Sequence, residues 1–591
     1  CALPIWNVKK FFSYIKKESP GQVLKHIKSY LSRFKPIEKM ELKLYETNDP
    51  YEKLSFTYSS NPLVSIIIPV YNQWNYTYSC LRSIMENTAE IEYEIIIADD
   101  VSNDETVYID KFTENVIVAR NTKNLGFLLN CNNAAKRARG KYILFLNNDT
   151  NVQKDWLGYL IDLIERDNKI GMVGSKLVFP DGRLQEAGGI IWRDASGWNY
   201  GRLDDPEKPE YNYVKEVDYI SGASIMIRAD LWKKIGGFDT RYAPAYYEDS
   251  DLAFEVRKHG YKVMYQPKSV VVHFEGISHG TNAELGIKSY QIKNRDRFSQ
   301  KWKEYLEIDQ FGNGQSVFLA RDRNRKKKTI LFIDHYIPTY DKDAGSRTIY
   351  QYLKIVVRMG YNVKFVGDNF YKLEPYATEL EQMGIEVLYG SYYANHWKDW
   401  IKDNKAYFDV VFMNRPHISI KYIDFIRECT NSKIVYNVCD LHFLREQRQY
   451  EITKDISLLE SAKKWKEIEY SIMEKADVVF TLSTYERRII NEHFSEDKAI
   501  ICPIFIYNTF SELKINPKDR KDLIFVGGFG HAPNIDGVIW FVKDILPLIQ
   551  LEIPEIKIHI VGSNPPEEIK KVIKNGVILH GHVLDKMLIE L

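Results

Sequence analysis

The chain has 591 residues, a formal net charge of +1, 45% hydrophobic and 27% charged residues. That length calls for several cores of about 100–200 residues each, and the balanced charge argues against a chain that coats nucleic acid. The six cysteines, Cys1, Cys80, Cys131, Cys429, Cys439 and Cys502, form no CxxC pair, which argues against zinc and disulfide scaffolds and fits a reducing, cytoplasmic setting. No apolar run approaches the roughly 18 residues of a membrane span, and no signal-peptide pattern opens the chain. The 40 tyrosines suit stacking on sugars and bases, or reflect a compositional bias of the source.

Residues 1–60 read as a basic helical segment, in which Lys9, Lys16, Lys25, Lys28 and Arg33 interleave with Phe11, Phe12, Ile15, Leu24, Ile27 and Leu31. Such an amphipathic pattern either lies on the inner face of the cytoplasmic membrane or a lipid-linked acceptor, or packs on the next domain. The chain opens on Cys1 rather than Met, and the natural start is expected upstream.

From Leu63 short apolar strands alternate with helices. Val64–Val70 predicts a buried strand, Thr77–Glu86 a helix, Tyr93–Ala98 a strand ending in Asp99-Asp100, and Tyr142–Leu146 a strand ending in Asn147-Asn148-Asp149. This alternation implies an α/β domain, over 61–320, with a mostly parallel sheet. Ligands in such sheets bind beyond the carboxyl ends of the strands, where these acidic residues fall.

Each patch has a chemical and a plain reading. Asp99 and Asp100 can accept a pyrimidine N–H or ribose hydroxyls. Asp149 can hold a hard cation such as Mg²⁺ or Mn²⁺. In Tyr246-Tyr-Glu248-Asp249-Ser-Asp251 one carboxylate can serve as general base. Equally, strand-ending acids cap helices, and a lone His273 after the strand-like run Ser269–Val272 is as a rule structural.

Taken in order, these stretches resemble the family 2 glycosyltransferases, whose fold is called GT-A. The resemblance rests on Val64-Ser-Ile-Ile-Ile-Pro-Val-Tyr-Asn72, Ile97-Ala-Asp-Asp-Val-Ser-Asn-Asp104, Asn124-Leu-Gly-Phe127 with Asn132, Tyr142-Ile-Leu-Phe-Leu-Asn-Asn-Asp149, and Gly236-Gly-Phe-Asp239 followed by Glu248-Asp249. It implies transfer of a sugar from a nucleotide-diphosphate sugar to a growing glycan or lipid-linked acceptor, with inversion. By this resemblance Pro69, Tyr71, Asp99 and Asp100 line the nucleotide pocket. Asn124, Gly126 and Phe127 form the loop near base and ribose, with Asn132 behind. Asn147 and Asp149 stand in the DXD motif, Asp149 as metal ligand with His273. Asp249 is the base, with Glu248 and Asp251 as competitors. Trp192, Trp198 and Ser221-Gly-Ala223 face the acceptor. The most similar subgroup builds bacterial surface polysaccharides.

The run Arg321–Lys328 reads as a basic linker over 321–328, which would make the first module separable. A second series follows: strands at Thr329–Asp334, Tyr361–Gly367, Asp409–Met413, Lys433–Asn437 and Asp477–Thr481, then Asp522–Val526 and Lys557–Val561. The stretches Asp341-Lys-Asp-Ala-Gly345, Asp440-Leu-His442 and Phe525-Val-Gly527-Gly528 with Asn534 resemble family 4 glycosyltransferases of the GT-B fold, as an N-terminal Rossmann-like half over 329–515 and a partial donor half over 516–591. The resemblance implies a fragment of a longer two-enzyme protein, its second site incomplete. The alternative to catalysis is a degenerate module that holds a glycan or a partner enzyme. A nucleotidyltransferase is disfavoured, because Pro69-Val-Tyr-Asn-Gln-Trp74 stands where a Gly- and Arg-rich loop would be needed.

Overall fold

A computed structural model describes residues 40–45, 51–88, 90–275, 289–504, 521–574 and 576–583. The basic pattern up to Lys39 and the stretch from Gly276 to Ser278 lie outside them. The chain divides into two compact units, one of residues 1–336 with 356–479 and one of 337–355 with 480–591.

The first unit is built on a ten-stranded mixed sheet. Strand β1 (Val64–Val70) pairs in parallel with β2 (Tyr93–Asp99), and β2 with β3 (Val116–Arg120). All of β1 is buried, and its side chains divide between two cores. Ile66 and Ile68 join Ile95 and Ile97 on one face, whereas Ile67 joins Ile96 on the other. That two-sided burial explains a continuous apolar run where a half-exposed strand would alternate. Helix α1 (Trp74–Asn87) buries Trp74, Tyr78, Leu81 and Ile84. The next helix, α2 (Phe127–Ala135), leads to β4 (Tyr142–Leu146), which is parallel to β1.

Beyond β4 the sheet departs from the parallel expectation. After β5 (Thr150–Val152) and the amphipathic α3 (Trp156–Arg166) comes β6 (Ile170–Val178), followed by β7 (Leu184–Glu186). Strand β8 (Ser224–Arg228) runs antiparallel between β4 and β6. Helix α4 (Glu248–Lys258) precedes β9 (Lys262–His273), whose last residues pair antiparallel with β5, setting His273 opposite Thr150. The antiparallel insertion turns the start of β8 towards the carboxyl end of β4, so that Asn147 N–H donates to the Ala223 carbonyl at 3.1 Å. Helix α5 (Ser289–Lys301) follows.

A second, parallel sheet of the same unit contains β10 (Thr329–Asp334), β11 (Asn362–Gly367), β12 (Glu386–Leu388), β13 (Val410–Asn414) and β14 (Lys433–Asn437). Its order is β12-β11-β10-β13-β14. The run predicted as a linker is only half linker-like. Arg321, Asp322 and Asn324 are buried, whereas 325–328 are exposed. Arg321 bridges Glu386 at 2.7 Å and Glu210 at 3.2 Å, and Lys364 bridges Glu386 at 2.7 Å and Asp322 at 3.0 Å. Tyr213 O–H donates to Asp322 at 2.9 Å. Lys364 and Glu386 have no exposure at all, and charges so deeply buried persist only when paired.

In the second unit, β15 (Leu523–Val526), β16 (Ile558–Val561) and β17 (Val577–Gly581) form a three-stranded parallel sheet. Its first two strands were predicted; the third was not. Among the described residues no helix is long and apolar enough to cross a membrane.

Candidate active site

The predicted residues gather at the carboxyl ends of β1, β2 and β4, but in three different kinds of work. Pro69 is buried within β1, and Tyr71, just past its end, is 53% exposed. Asp99 accepts from Ser102 N–H at 2.9 Å and pairs with Arg120 at 3.2 Å. Asp100 organises the next loop. Its carboxylate accepts from Leu125 N–H at 2.8 Å, Gly126 N–H at 2.8 Å and the Asn121 amide at 2.9 Å. Gly126 has φ of 76°, and a Cβ there would meet Pro244 Cβ at 3.1 Å, so glycine is needed for both reasons. Asn124 Oδ1 also accepts from Gly126 N–H, at 3.1 Å. Phe127 then opens α2 and lines a cavity described below. Asn132 faces elsewhere: its amide exchanges two hydrogen bonds with the backbone of Phe238, at 2.8 and 2.9 Å, tying α2 to the Gly236-Gly-Phe turn.

Asp149 and His273 meet. Antiparallel pairing of β5 with the end of β9 sets His273 Nε2 3.2 Å from Asp149 Oδ1. Both are buried, at 8% and 6% exposure. His273 Nδ1 lies 3.1 Å from Gln185 Oε1, and Asn147 Nδ2 lies 3.4 Å from Nε2. An Nδ1–H donated to Gln185 leaves the Nε2 lone pair aimed at Asp149, the second-shell arrangement of a metal-binding histidine. The donor set of one carboxylate and one imidazole fits a divalent cation whose remaining positions go to phosphate oxygens and water. Among the described residues no group of three or more His, Cys, Asp or Glu is gathered around one point, so the chain's own share is two strong donors.

Across a cavity of about 350 Å³, lined by Asn147 at one side, lie Glu248 and Asp249 at the start of α4. Tyr246 and Tyr247 precede them with φ of 76° and 73°, a left-handed conformation that costs side-chain-bearing residues energy and clusters at functional sites. The turn is held by Asn294 of α5, whose buried amide donates to the carbonyls of Tyr242, Ala245 and Tyr246 at 2.8, 2.9 and 3.0 Å. Asp249 accepts from Gly222 N–H at 3.1 Å and Ser250 N–H at 2.6 Å. Burial raises its pKa above the usual carboxylate range, against the opposing pull of those amides. Glu248 is raised too, by burial and then by the Asp249 charge, and its Oε2 has no hydrogen-bond partner. Asp251 is engaged away from the cavity, accepting from Trp302 Nε1 at 2.7 Å, Lys301 at 2.8 Å and Tyr242 O–H at 3.0 Å.

Of the residues expected to face an acceptor, Ser221, Gly222 and Ala223 line the cavity. Trp192 does not; it is fully buried beneath the half-exposed Trp198, their rings edge to face at 4.9 Å. Its apolar ring area belongs inside, a preference that sequence position alone does not reveal. At the start of the helix His442–Thr453, His442 sits 3.5 Å from the buried Glu469, and in the second unit Asn534 donates to the Gly528 carbonyl at 2.8 Å.

Sequence reasoning missed Glu186, which lines the cavity at 1% exposure and whose pKa burial pushes up to about 8. It also missed Asn294 and Gln185. Their neighbourhoods, Leu184-Gln-Glu-Ala and Ile292-Lys-Asn-Arg, mix polar and apolar residues without a distinctive pattern, and only tertiary packing brings them in.

Residues 65–234 match the profile described as Glycosyl transferase family 2. The chain is 27% identical over 273 residues to the uncharacterized protein y4gI of Sinorhizobium fredii, covering 44% of this chain and 30% of that one. It is 26% identical over 245 residues to the O-antigen biosynthesis protein RfbC of Myxococcus xanthus, covering 39% and 19%. The crystal structure of GalNAc-T7 with UDP, GalNAc and Mn²⁺ superposes on 42% of this chain and 50% of that one, with TM-score 0.35 and 18% identity. The chain spans well under two thirds of the length of these curated relatives. Residues 65–234 thus resemble the glycosyltransferases of family 2.

Proposed function

We propose that residues 61–320, with the GT-A fold, move a sugar from a nucleotide-diphosphate sugar to a hydroxyl of a glycan or lipid-linked glycan acceptor, with inversion. The observation that carries this reading is one cavity shared by Asn147, beside the Asp149–His273 pair, and by Asp249. The ends of a displacement, leaving diphosphate and incoming hydroxyl, would then face one another.

The loop Asn124–Phe127, held by Asp100, receives the nucleotide together with Tyr71 and Asp99. Asp149 and His273 would hold Mn²⁺ or Mg²⁺, which would supply positive charge to stabilise the departing diphosphate. Asp249 accepts the proton of the acceptor hydroxyl while that oxygen forms its bond to the anomeric carbon and the bond from carbon to diphosphate oxygen breaks. Its raised pKa favours proton uptake, and the Gly222 and Ser250 amides aim the carboxylate. Direct displacement from the face opposite the diphosphate inverts the anomeric centre.

Residues 329–591 suit a GT-B-like second transferase, a reading supported by the parallel order of β10–β14. The O-antigen relative supports surface polysaccharide as the product class. A peripheral membrane position rests on the basic pattern before Lys39 alone.

The test is a donor screen on the whole chain with UDP-, dTDP- and GDP-sugars and Mn²⁺, reading thermal shift and donor hydrolysis. A stabilising, hydrolysed donor supports transfer. Stabilisation by polysaccharide alone, with no donor turned over, supports the binding-module alternative.

A further inference from the structure

Two consecutive amides on the wall of the cavity each hold a carboxyl from a different element. Ser221 N–H donates to Glu186 Oε1 at 3.0 Å, and Gly222 N–H donates to Asp249 Oδ2 at 3.1 Å. Consecutive amides thus hold both carboxyls on the wall of one cavity. Glu186 Oε2 has no hydrogen-bond partner among the described residues although the side chain is 1% exposed. Among the described residues no Lys, Arg or His lines the cavity. A buried carboxyl with an unused oxygen costs stability, and that cost is relieved when a ligand hydroxyl forms a hydrogen bond with that oxygen.

Resting on the transferase reading above, we infer that Glu186 binds a second hydroxyl of the acceptor sugar, through Oε2, next to the hydroxyl that Asp249 deprotonates. This makes Glu186 a specificity and positioning residue. A vicinal pair of hydroxyls would span the two carboxyls, and an acceptor lacking the second hydroxyl would leave Oε2 unpaired in the closed site. Sites built to pair a substrate hydroxyl reject its deoxy analogue strongly. The donor has separate anchors, at the Asp100-held loop and the metal pair, and is not expected to depend on Glu186.

The experiment measures transfer by the whole chain, with Mn²⁺, from UDP-, dTDP- and GDP-sugars to methyl glycosides of glucose, galactose, mannose, rhamnose and N-acetylglucosamine, and to their monodeoxy analogues. In Glu186→Ala the KM for the preferred methyl glycoside rises by about 10- to 100-fold, the worth of one hydrogen bond to a buried carboxyl, with the donor KM within about threefold. Glu186→Gln, which keeps shape and hydrogen bonding, stays within about fivefold of the wild type. One monodeoxy glycoside is penalised in the wild type by the same factor and carries no further penalty in Glu186→Ala. An unchanged acceptor KM in Glu186→Ala, a rise in donor KM instead, or deoxy penalties that persist undiminished in the variant would each overturn the inference while leaving wild-type transfer intact. If the wild type turns over no donor and glycosylates nothing, the transferase reading fails and takes this inference with it.

Discussion

His273 Nε2 and Asp149 Oδ1 stand 3.2 Å apart although more than a hundred residues separate the end of β9 from the turn that carries Asp149. The short β5 returning against the end of β9 creates the pair, and Gln185 sets the imidazole from behind. Asp149→Ala should therefore abolish the Mn²⁺-dependent part of nucleotide-sugar binding, and Gln185→Ala should weaken it by about 10-fold or more through the loss of ring orientation. Titrating Mn²⁺ against donor-induced thermal shift checks both. A Mn²⁺ response unchanged in Asp149→Ala would remove Asp149 as a ligand.

The buried-base assignment rests on Asp249, with Glu248 beside it and Asp251 tied to Lys301 and Trp302. Asp249→Asn should lower kcat by about 10²–10⁴-fold, the usual worth of a general base, while donor affinity stays within about threefold. Asp251→Asn should act on stability instead, because it weakens the pairing of the buried Asp251 with the half-buried Lys301. Comparing kcat with thermal midpoint for the two variants separates the roles; a larger kcat loss in Asp251→Asn would reverse them.

Much of this was legible in the chain. The strands Val64–Val70, Tyr142–Leu146, Thr329–Asp334 and Lys433–Asn437 were read to the residue, because buried parallel strands are unbroken apolar runs bounded by polar ends. The strand-end carboxylates were legible for the same reason. The sequence did not reveal which partner each carboxylate would find. Asp99 with Arg120, Asp100 with the Leu125–Gly126 amides and Asp251 with Lys301 are tertiary pairings. The antiparallel β8 also escaped, since the five residues Ser224–Arg228, three of them apolar, carry no mark of direction.

Asn294 offers a test of the strained turn. Its single amide serves three carbonyls of the Tyr242–Tyr246 segment, just before the paired left-handed tyrosines. Asn294→Ala should cost about 1–3 kcal/mol from unsatisfied buried carbonyls. It should also lower kcat, because Glu248 and Asp249 follow directly. Denaturant unfolding and steady-state kinetics on the same sample check this; a stable variant with full kcat would show the turn to be self-supporting.

The joint around Glu386 predicts against separability of the first module at 321–328. Arg321 and Lys364 both rely on Glu386; burial opposes ionisation there, and the two cations hold its pKa below the usual carboxylate range. Glu386→Ala strands both cations and should destabilise by about 3–5 kcal/mol. Ending the chain at Arg323 should likewise lower the thermal midpoint of what remains, by removing Lys364 and Glu386 from Asp322 and Arg321. A truncated module as stable as the whole chain would show that the network adds no net stability.

Glu186 makes the stability of the first unit depend on pH, with a definite sign. Its folded pKa is raised to about 8, chiefly by burial, with the Ser221 amide pulling it down and the Asp249 charge pushing it up; Arg202 lowers it and Glu275 raises it to smaller extents. The unfolded value is about 4.3. Below that value both states are protonated and the group imposes no penalty. Between the two values the folded state binds more protons than the unfolded one, so stability falls as pH rises, and the full penalty is present above about 8. Glu186→Gln removes the titration. Its thermal midpoint should therefore match the wild type near pH 4.5 and exceed it by several degrees near pH 8.5. Midpoints that differ equally at both pH values would show that Glu186 is ionised in the folded protein throughout.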